Sequence, residues 1–310
     1  GGSLCHLLNS TKLKLNRSLW HFMTIKKIQY NIMAWLLMMG VNVAANQPLL
    51  DARPLIVTSI KPLAIIAKSA VGDAAQVQYL LPGNQSPHDF ALPISALKKM
   101  SKADLVIWIG PDFEAGSTKA MSKLSINKLL TVIDLPHTQP DQGNLRQHDE
   151  YLMEADPHLW LNPNNGNKIA DAIQVRLGLP AKEIISDQQI ARFKAELASF
   201  KEVTYLTHHE AYDHFADAFD LKPGLAIRNA SGGVQGAKTQ YRLRKTIEKN
   251  DVSCVFIEPQ YQGKDAAIIA AEYDLPLVQL DPQGLSQRLS EHAYSEFIGT
   301  LVSQFKACFQ

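Results

Sequence analysis

Net charge of one sign is almost missing from this sequence. Lys and Arg total 31 against 30 Asp and Glu, a formal charge of +1, and no Lys/Arg block is dense enough to suit a nucleic acid backbone or an anionic membrane. The body of the chain also lacks any run of about 18 apolar residues of the kind that crosses a bilayer, and no repeat of solenoid period recurs in it. Cysteine is scarce, at three residues, which bounds any internal cross-linking to one bond. What remains is the composition of an ordinary soluble globular protein, 46% hydrophobic and 20% charged, with nothing that suggests disorder or a fibre. Its partners have to be argued from a site. A length of 310 residues exceeds the usual single-domain range and leads us to expect two globular units, each with its own core.

The leader carries information of its own. From Met23, Lys26 and Lys27 form a basic segment, Ile32 to Val43 an apolar one, and Val43-Ala44-Ala45 supplies small residues suited to cleavage before Asn46. Residues 23–45 therefore read as a Sec-type signal peptide, with an uncleaved anchor as the alternative because such apolar segments approach the spanning threshold. No cysteine stands at the cleavage position, which argues against lipid attachment. Residues 1–22 read as upstream sequence outside the fold. Removal of the leader also removes Cys5 and leaves Cys254 and Cys308 in a compartment where disulfides persist. An even count in an exported chain favours a bond between them, closing a loop of about 54 residues and stabilising by about 4 kcal/mol in the chain-entropy model; two buried free thiols are the other possibility.

Beyond the leader, short apolar runs alternate with helical patterns. Leu55 to Ile60, Val77 to Leu81, Leu105 to Ile109 and Leu130 to Ile133 read as strands, separated by helices over Leu63 to Ala70, Ile94 to Met100 and Phe113 to Leu124. From Pro136 to Ala155 the periodicity stops, and a mobile polar loop is expected. Residues 163–200 are helical in pattern, broken at Gly178 and Pro180, and read as a connection between lobes. A second alternating series follows: strands at Val203 to Leu206, Leu225 to Ile227, Val252 to Ile257 and Leu277 to Leu280. Helices are expected at His209 to Phe219, Lys238 to Lys249, Lys264 to Tyr273 and Glu291 to Lys306. The expected architecture is α/β, with lobes at 54–162 and 201–310 that each hold a mainly parallel sheet flanked by helices and face each other across a ligand cleft.

All the histidines but His6 and His21 lie beyond the leader, and several fall at carboxyl ends of expected strands, where open α/β sheets place ligands. His88 follows the second strand in Ser86-Pro87-His88-Asp89-Phe90. His158 sits between two prolines in Asp156-Pro157-His158-Leu159-Trp160-Leu161-Asn162-Pro163. His209 directly follows Val203 to Leu206 and the pair Thr207-His208. A lone loop histidine is usually a solvated surface residue, but three in like positions suit a metal, since neutral imidazole is the commonest metal ligand. The amino terminus of the helix expected at His209 would disfavour its imidazolium form.

These segments, with His209-Glu210-Ala211-Tyr212, Phe256-Ile257-Glu258-Pro259-Gln260 and Leu280-Asp281-Pro282, resemble in order the metal-specific cluster of bacterial solute-binding proteins, over nearly all of residues 54–309. Within that cluster the chain is most similar to the zinc-binding periplasmic subunits of zinc ABC transporters. The resemblance implies that His88, His158 and His209 bind Zn²⁺ as the transported ligand, and that the partner is an inner-membrane permease powered by a separate ATPase. It also implies a periplasmic location, and it sets Cys254 and Cys308 where those subunits carry a disulfide. Manganese-binding relatives carry a glutamate at the position of His209 together with an aspartate matching Asp281, so the histidine favours zinc by ligand softness. Pro87 replaces a glutamate that zinc-binding relatives often place beside the first histidine, which leaves the fourth position to water or Asp281. The loop before His158 holds only His137 and His148 and reads as a solvated linker.

Two look-alikes fail on spacing. His209 and His214 lie five apart, about 140° off a common helix face rather than one turn apart as in a zinc protease. Gly232 to Thr239 lacks the glycine that a phosphate loop needs before Lys238. Tyr212, Phe215, Ala216 and Phe219 form a core-facing helical stripe, His208 points away from the site, and Trp160 packs beside it. Glu258 either accepts a hydrogen bond from a ligand imidazole or forms a surface pair. The reading is thus a monomeric zinc receptor and not an enzyme. A manganese or iron receptor of the same fold is the first rival, and a three-histidine zinc enzyme the second.

Overall fold

The run Leu55-Ile56-Val57-Thr58 forms strand β1 (Leu55–Thr58), with Ile56 buried on one face of its sheet and Val57 on the other. Burial on both faces is why the strand reads as an unbroken apolar run instead of alternating with polar residues. The computed structural model describes residues 53–82, 85–136 and 156–310; the expected leader, and His137 and His148 with the rest of residues 137–155, lie outside the described residues. After β1 come α1 (Lys61–Val71), with Pro62 in its first turn, β2 (Gln76–Tyr79), α2 (Ile94–Lys102), β3 (Leu105–Trp108), a short α3 (Thr118–Met121) and β4 (Leu129–Thr131). The four strands are parallel, in the order β2-β1-β3-β4.

Helices α4 (Pro163–Leu177) and α5 (Asp187–Leu197) lead to the second series. It comprises β5 (Thr204–His209), α6 (Asp213–Ala218), β6 (Leu225–Arg228), α7 (Ala237–Lys249), β7 (Val252–Ile257), α8 (Lys264–Glu272), β8 (Leu277–Gln279) and α9 (Ala293–Phe309). Its sheet is again parallel, ordered β6-β5-β7-β8. In both sheets the direction of winding reverses at the first strand, so the loops leaving β1 and β5 diverge from their neighbours and open a crevice at the carboxyl edge. His88 follows β2 and His209 closes β5 at those carboxyl edges.

Local chemistry sets the helix limits. Asn162 caps α4 by accepting from the Asn164 amide at 2.9 Å, and Gly178, in the left-handed region at φ 64°, ends it by returning its N–H to Gln174 and Val175. Ser186 and Gln189 form a reciprocal capping box on α5. Helix α4 packs on α1, while α9 touches α1, α5, β7 and β8. Tyr294 of α9 lies against Gly166, where any Cβ would strike its ring, and its hydroxyl donates to the carbonyls of Trp160 at 2.8 Å and Asn162 at 3.1 Å. Cys254 of β7 and Cys308 of α9 are joined by a disulfide, with Cα atoms 5.7 Å apart. The two-thiol alternative is set aside.

The structure departs from three expectations. Among the described residues, separate cores exist only on the outer faces, around Val57, Val106 and Trp108 in one lobe and Leu206, Val255 and Ile269 in the other. Between the sheets one continuous cluster holds Ile56, Ile107 and Leu63 together with Tyr205, Phe256 and Phe305. Second, the helix expected over Phe113 to Leu124 shrinks to α3 after a 3₁₀ turn at Ala115–Ser117. Glu114 turns inward there, its Oε2 accepting from the Ile109 amide at 2.7 Å. Third, His209 ends a strand instead of starting a helix, because its register with Arg228 continues the β5–β6 ladder and the Glu210 amide donates to the Arg228 carbonyl at 3.1 Å. Among the described residues, no helix is long and apolar enough to cross a membrane.

Candidate metal centre

The three histidines that the sequence singles out arrive from different connections and meet. His88 lies in a 3₁₀ turn after β2, His158 precedes another before α4, and His209 closes β5. Each offers a ring nitrogen within 4.8 Å of the others'. The Nε2 atoms of His158 and His209 are 3.2 Å apart, and the His88 ring centroid lies 5.7 Å from that of His158 and 6.2 Å from that of His209.

Two carboxylates fix which nitrogen faces inward. Asp156 Oδ1 accepts from the His158 backbone N–H at 3.0 Å and from its Nδ1 at 2.7 Å, a local turn that the Asp-Pro-His spacing allows. Glu258, 2% exposed, accepts from His209 Nδ1 at 2.6 Å through Oε1 and from Gln260 Nε2 through Oε2. The Nδ1 protons being committed to carboxylates, the Nε2 lone pairs remain for a ligand. His88 Nε2 is buried with no hydrogen-bond partner among the described residues. An unpartnered buried acceptor carries a desolvation cost that a bound cation would remove.

Electrostatics act in the same direction. Burial pushes His88 down to about 3, assisted by the neighbouring His158 and His209 rings, and burial also lowers His158 despite the raising pull of Asp156. Both rings are therefore neutral at physiological pH, the form that binds metal. Burial alone would raise Asp156, but His158 and His214 hold its carboxyl below the usual range. Phe113 lines the wall, 4.6 Å from the His88 ring and 5.6 Å from Trp160. Trp160 packs 5.2 Å from His158 and donates its indole N–H to the Pro282 carbonyl. Tyr261 lies 5.6 Å from His209 and its hydroxyl is 3.3 Å from Ser86 Oγ, which joins the second lobe to the loop bearing His88.

Asp281 is not brought into this group. Its Oδ1 accepts from the Gln283 amide at 3.1 Å and its Oδ2 from the Leu285 amide at 2.6 Å, so the carboxylate closes its own turn. Sequence reasoning also misses two supports. Asp156 is visible there only as part of a motif, and its Asx-turn spacing to His158 is the signal that could have marked it. His214, set aside with the protease-like motif, is buried on α6 and donates from Nε2 to the Asp156 carbonyl at 2.9 Å. Glu258 takes the imidazole-accepting role of its two alternatives.

Three ring nitrogens contributed by both lobes converge here, a donor set that could hold one borderline-soft divalent cation. Comparison with known proteins places the chain in context. The family model described as zinc-uptake complex component A, periplasmic, matches residues 56–200 and 182–308. A Haemophilus ducreyi protein named high-affinity zinc uptake system protein ZnuA is 30% identical, over 88% of this chain and 96% of its own length. A Yersinia pestis protein of the same name is 29% identical over 82% of this chain and 91% of its own. Among solved structures, one described as ZnuA superposes with a TM-score of 0.66 at 22% identity, covering 83% of this chain and all of that one. The periplasmic zinc-binding protein TroA of Treponema pallidum gives 0.67 at 18% identity, over 83% of this chain and 99% of its own; these likenesses bear on the fold. With a family model spanning both lobes and a relative matched over nearly its whole length, the chain belongs to the family of periplasmic zinc-uptake complex component A.

Proposed function

We propose that this protein binds one Zn²⁺ in the periplasm through Nε2 of His88, His158 and His209, with water in the fourth position, and passes it to the permease of an ABC-type importer. The observation that carries the reading is the convergence of three imidazoles, two of them buried and oriented by Asp156 and Glu258. An all-nitrogen donor set favours zinc over manganese, which prefers oxygen ligands. Zinc is cargo in this reading. The protein acts as a monomeric receptor and catalyses no reaction, and release requires the importer to disturb a geometry to which both lobes contribute.

Elemental analysis after equilibration with mixed Zn²⁺ and Mn²⁺ followed by gel filtration tests the proposal. One zinc per chain is expected, lost in the triple variant His88→Ala/His158→Ala/His209→Ala. Manganese in its place would move the protein to a different receptor class, and absence of metal would make the histidines structural.

A further inference from the structure

A second group of donors lies behind His209. His208, His209 and Glu258 each offer a ligand atom within 4.8 Å of the others, and all three are buried. His208 is prepared in the same manner as the two oriented histidines of the main site. Its Nε2 is paired with Asp265 Oδ1 at 3.1 Å, and Asp265 is itself held by Arg228 Nε at 2.6 Å. That carboxylate keeps the proton on Nε2 and leaves Nδ1 as a bare lone pair. His208 Nδ1 is buried and has no hydrogen-bond partner among the described residues, although the side chain is only 1% exposed.

We infer that His208 Nδ1, the Glu258 carboxylate and His209 Nδ1 form an alternate position for the same class of cation, a borderline divalent ion such as Zn²⁺. The inference rests on the three-histidine reading, because it shares His209 with that site. All three donors stand at the carboxyl ends of β5 and β7, in one lobe. Loss of His88 and His158 from the cleft dismantles the main site but leaves this one intact. Zinc–nitrogen bonds of about 2.0–2.1 Å set tetrahedral donors roughly 3.3 Å apart. The His209–Glu258 hydrogen bond therefore opens as the ion enters, and the proton on His209 Nδ1 passes to its Nε2, which no longer serves the main site, so that the neutral ring presents Nδ1 to the ion. Such a position lets the ends of β5 and β7 hold the cation while His88 and His158 disengage.

The test is Zn²⁺ binding by chelator competition in the double variant His88→Ala/His158→Ala, with far-UV circular dichroism to establish folding. One residual zinc per chain is expected, at least a hundredfold weaker than in the unsubstituted protein. It should vanish when either His208→Ala or Glu258→Gln is added, so that failure of one triple variant to fold does not remove the test. Zinc-edge X-ray absorption of the double variant should read two imidazoles with oxygen. A folded double variant without zinc, or with zinc indifferent to His208 and Glu258, overturns the alternate position and leaves the three-histidine reading standing. Absence of zinc from the unsubstituted protein overturns that reading, and this one with it.

Discussion

Asp156 uses two oxygens for two tasks. Its carboxylate orients His158, while its carbonyl accepts from His214 in the other lobe. Asp156→Asn keeps the shape and removes the charge that raises the basicity of the ring, and zinc affinity measured by chelator competition should fall about 10–100-fold. Glu114 predicts a pH dependence of stability. Burial raises its carboxyl from 4.5 to about 7. Below pH 4.5 folded and unfolded chains both bind the proton. Between the two values only the folded chain retains it, so stability falls as pH rises through this window and stays lower above it. Denaturation midpoints of Glu114→Gln, compared with those of the parent at about pH 5 and pH 8, should show a smaller decline with pH; an equal decline would remove Glu114 as its cause.

At the scale of elements, the disulfide carries the clearest consequence. It joins the buried middle of β7 to the last turn of α9 across 54 residues of sequence. Cys308→Ser should lower unfolding free energy by about 2–4 kcal/mol, seen as a lower denaturant midpoint, and reductant should have no further effect on that variant. Elements are legible in sequence where one local rule dominates. Val252–Ile257 is marked by its apolar run, and α4 by its cap, proline and following glycine. Sequence spacing draws His209 into a helix because the stripe Tyr212, Phe215, Ala216 and Phe219 has helical period, whereas the ladder to Arg228 that extends β5 is a tertiary fact. Asp281 is misplaced for a related reason. Motif position puts a carboxylate near the cleft, but backbone amides two and four residues on compete for it. The histidines are legible because strand ends converge in this architecture whatever the turn details.

For the molecule as a whole, the cluster shared between the sheets makes the two lobes one cooperative body. Thermal unfolding should therefore give a single transition, and zinc at about a thousandfold excess over its dissociation constant should stabilise it by about 4 kcal/mol. Calorimetry checks both, and two separable transitions in the metal-free protein would contradict the shared core.

That shared core also governs what a docking partner can perceive. With Phe305 and its neighbours packed into that core, loaded and empty forms should present nearly the same outline and should differ in how firmly the segments around His88 and His158 are held. Hydrogen exchange in residues 86–90 and 156–161 should slow on zinc binding while the scattering envelope stays constant. Cargo would then be announced by stiffness and not by silhouette, as a full drawer is recognised by its resistance to the hand.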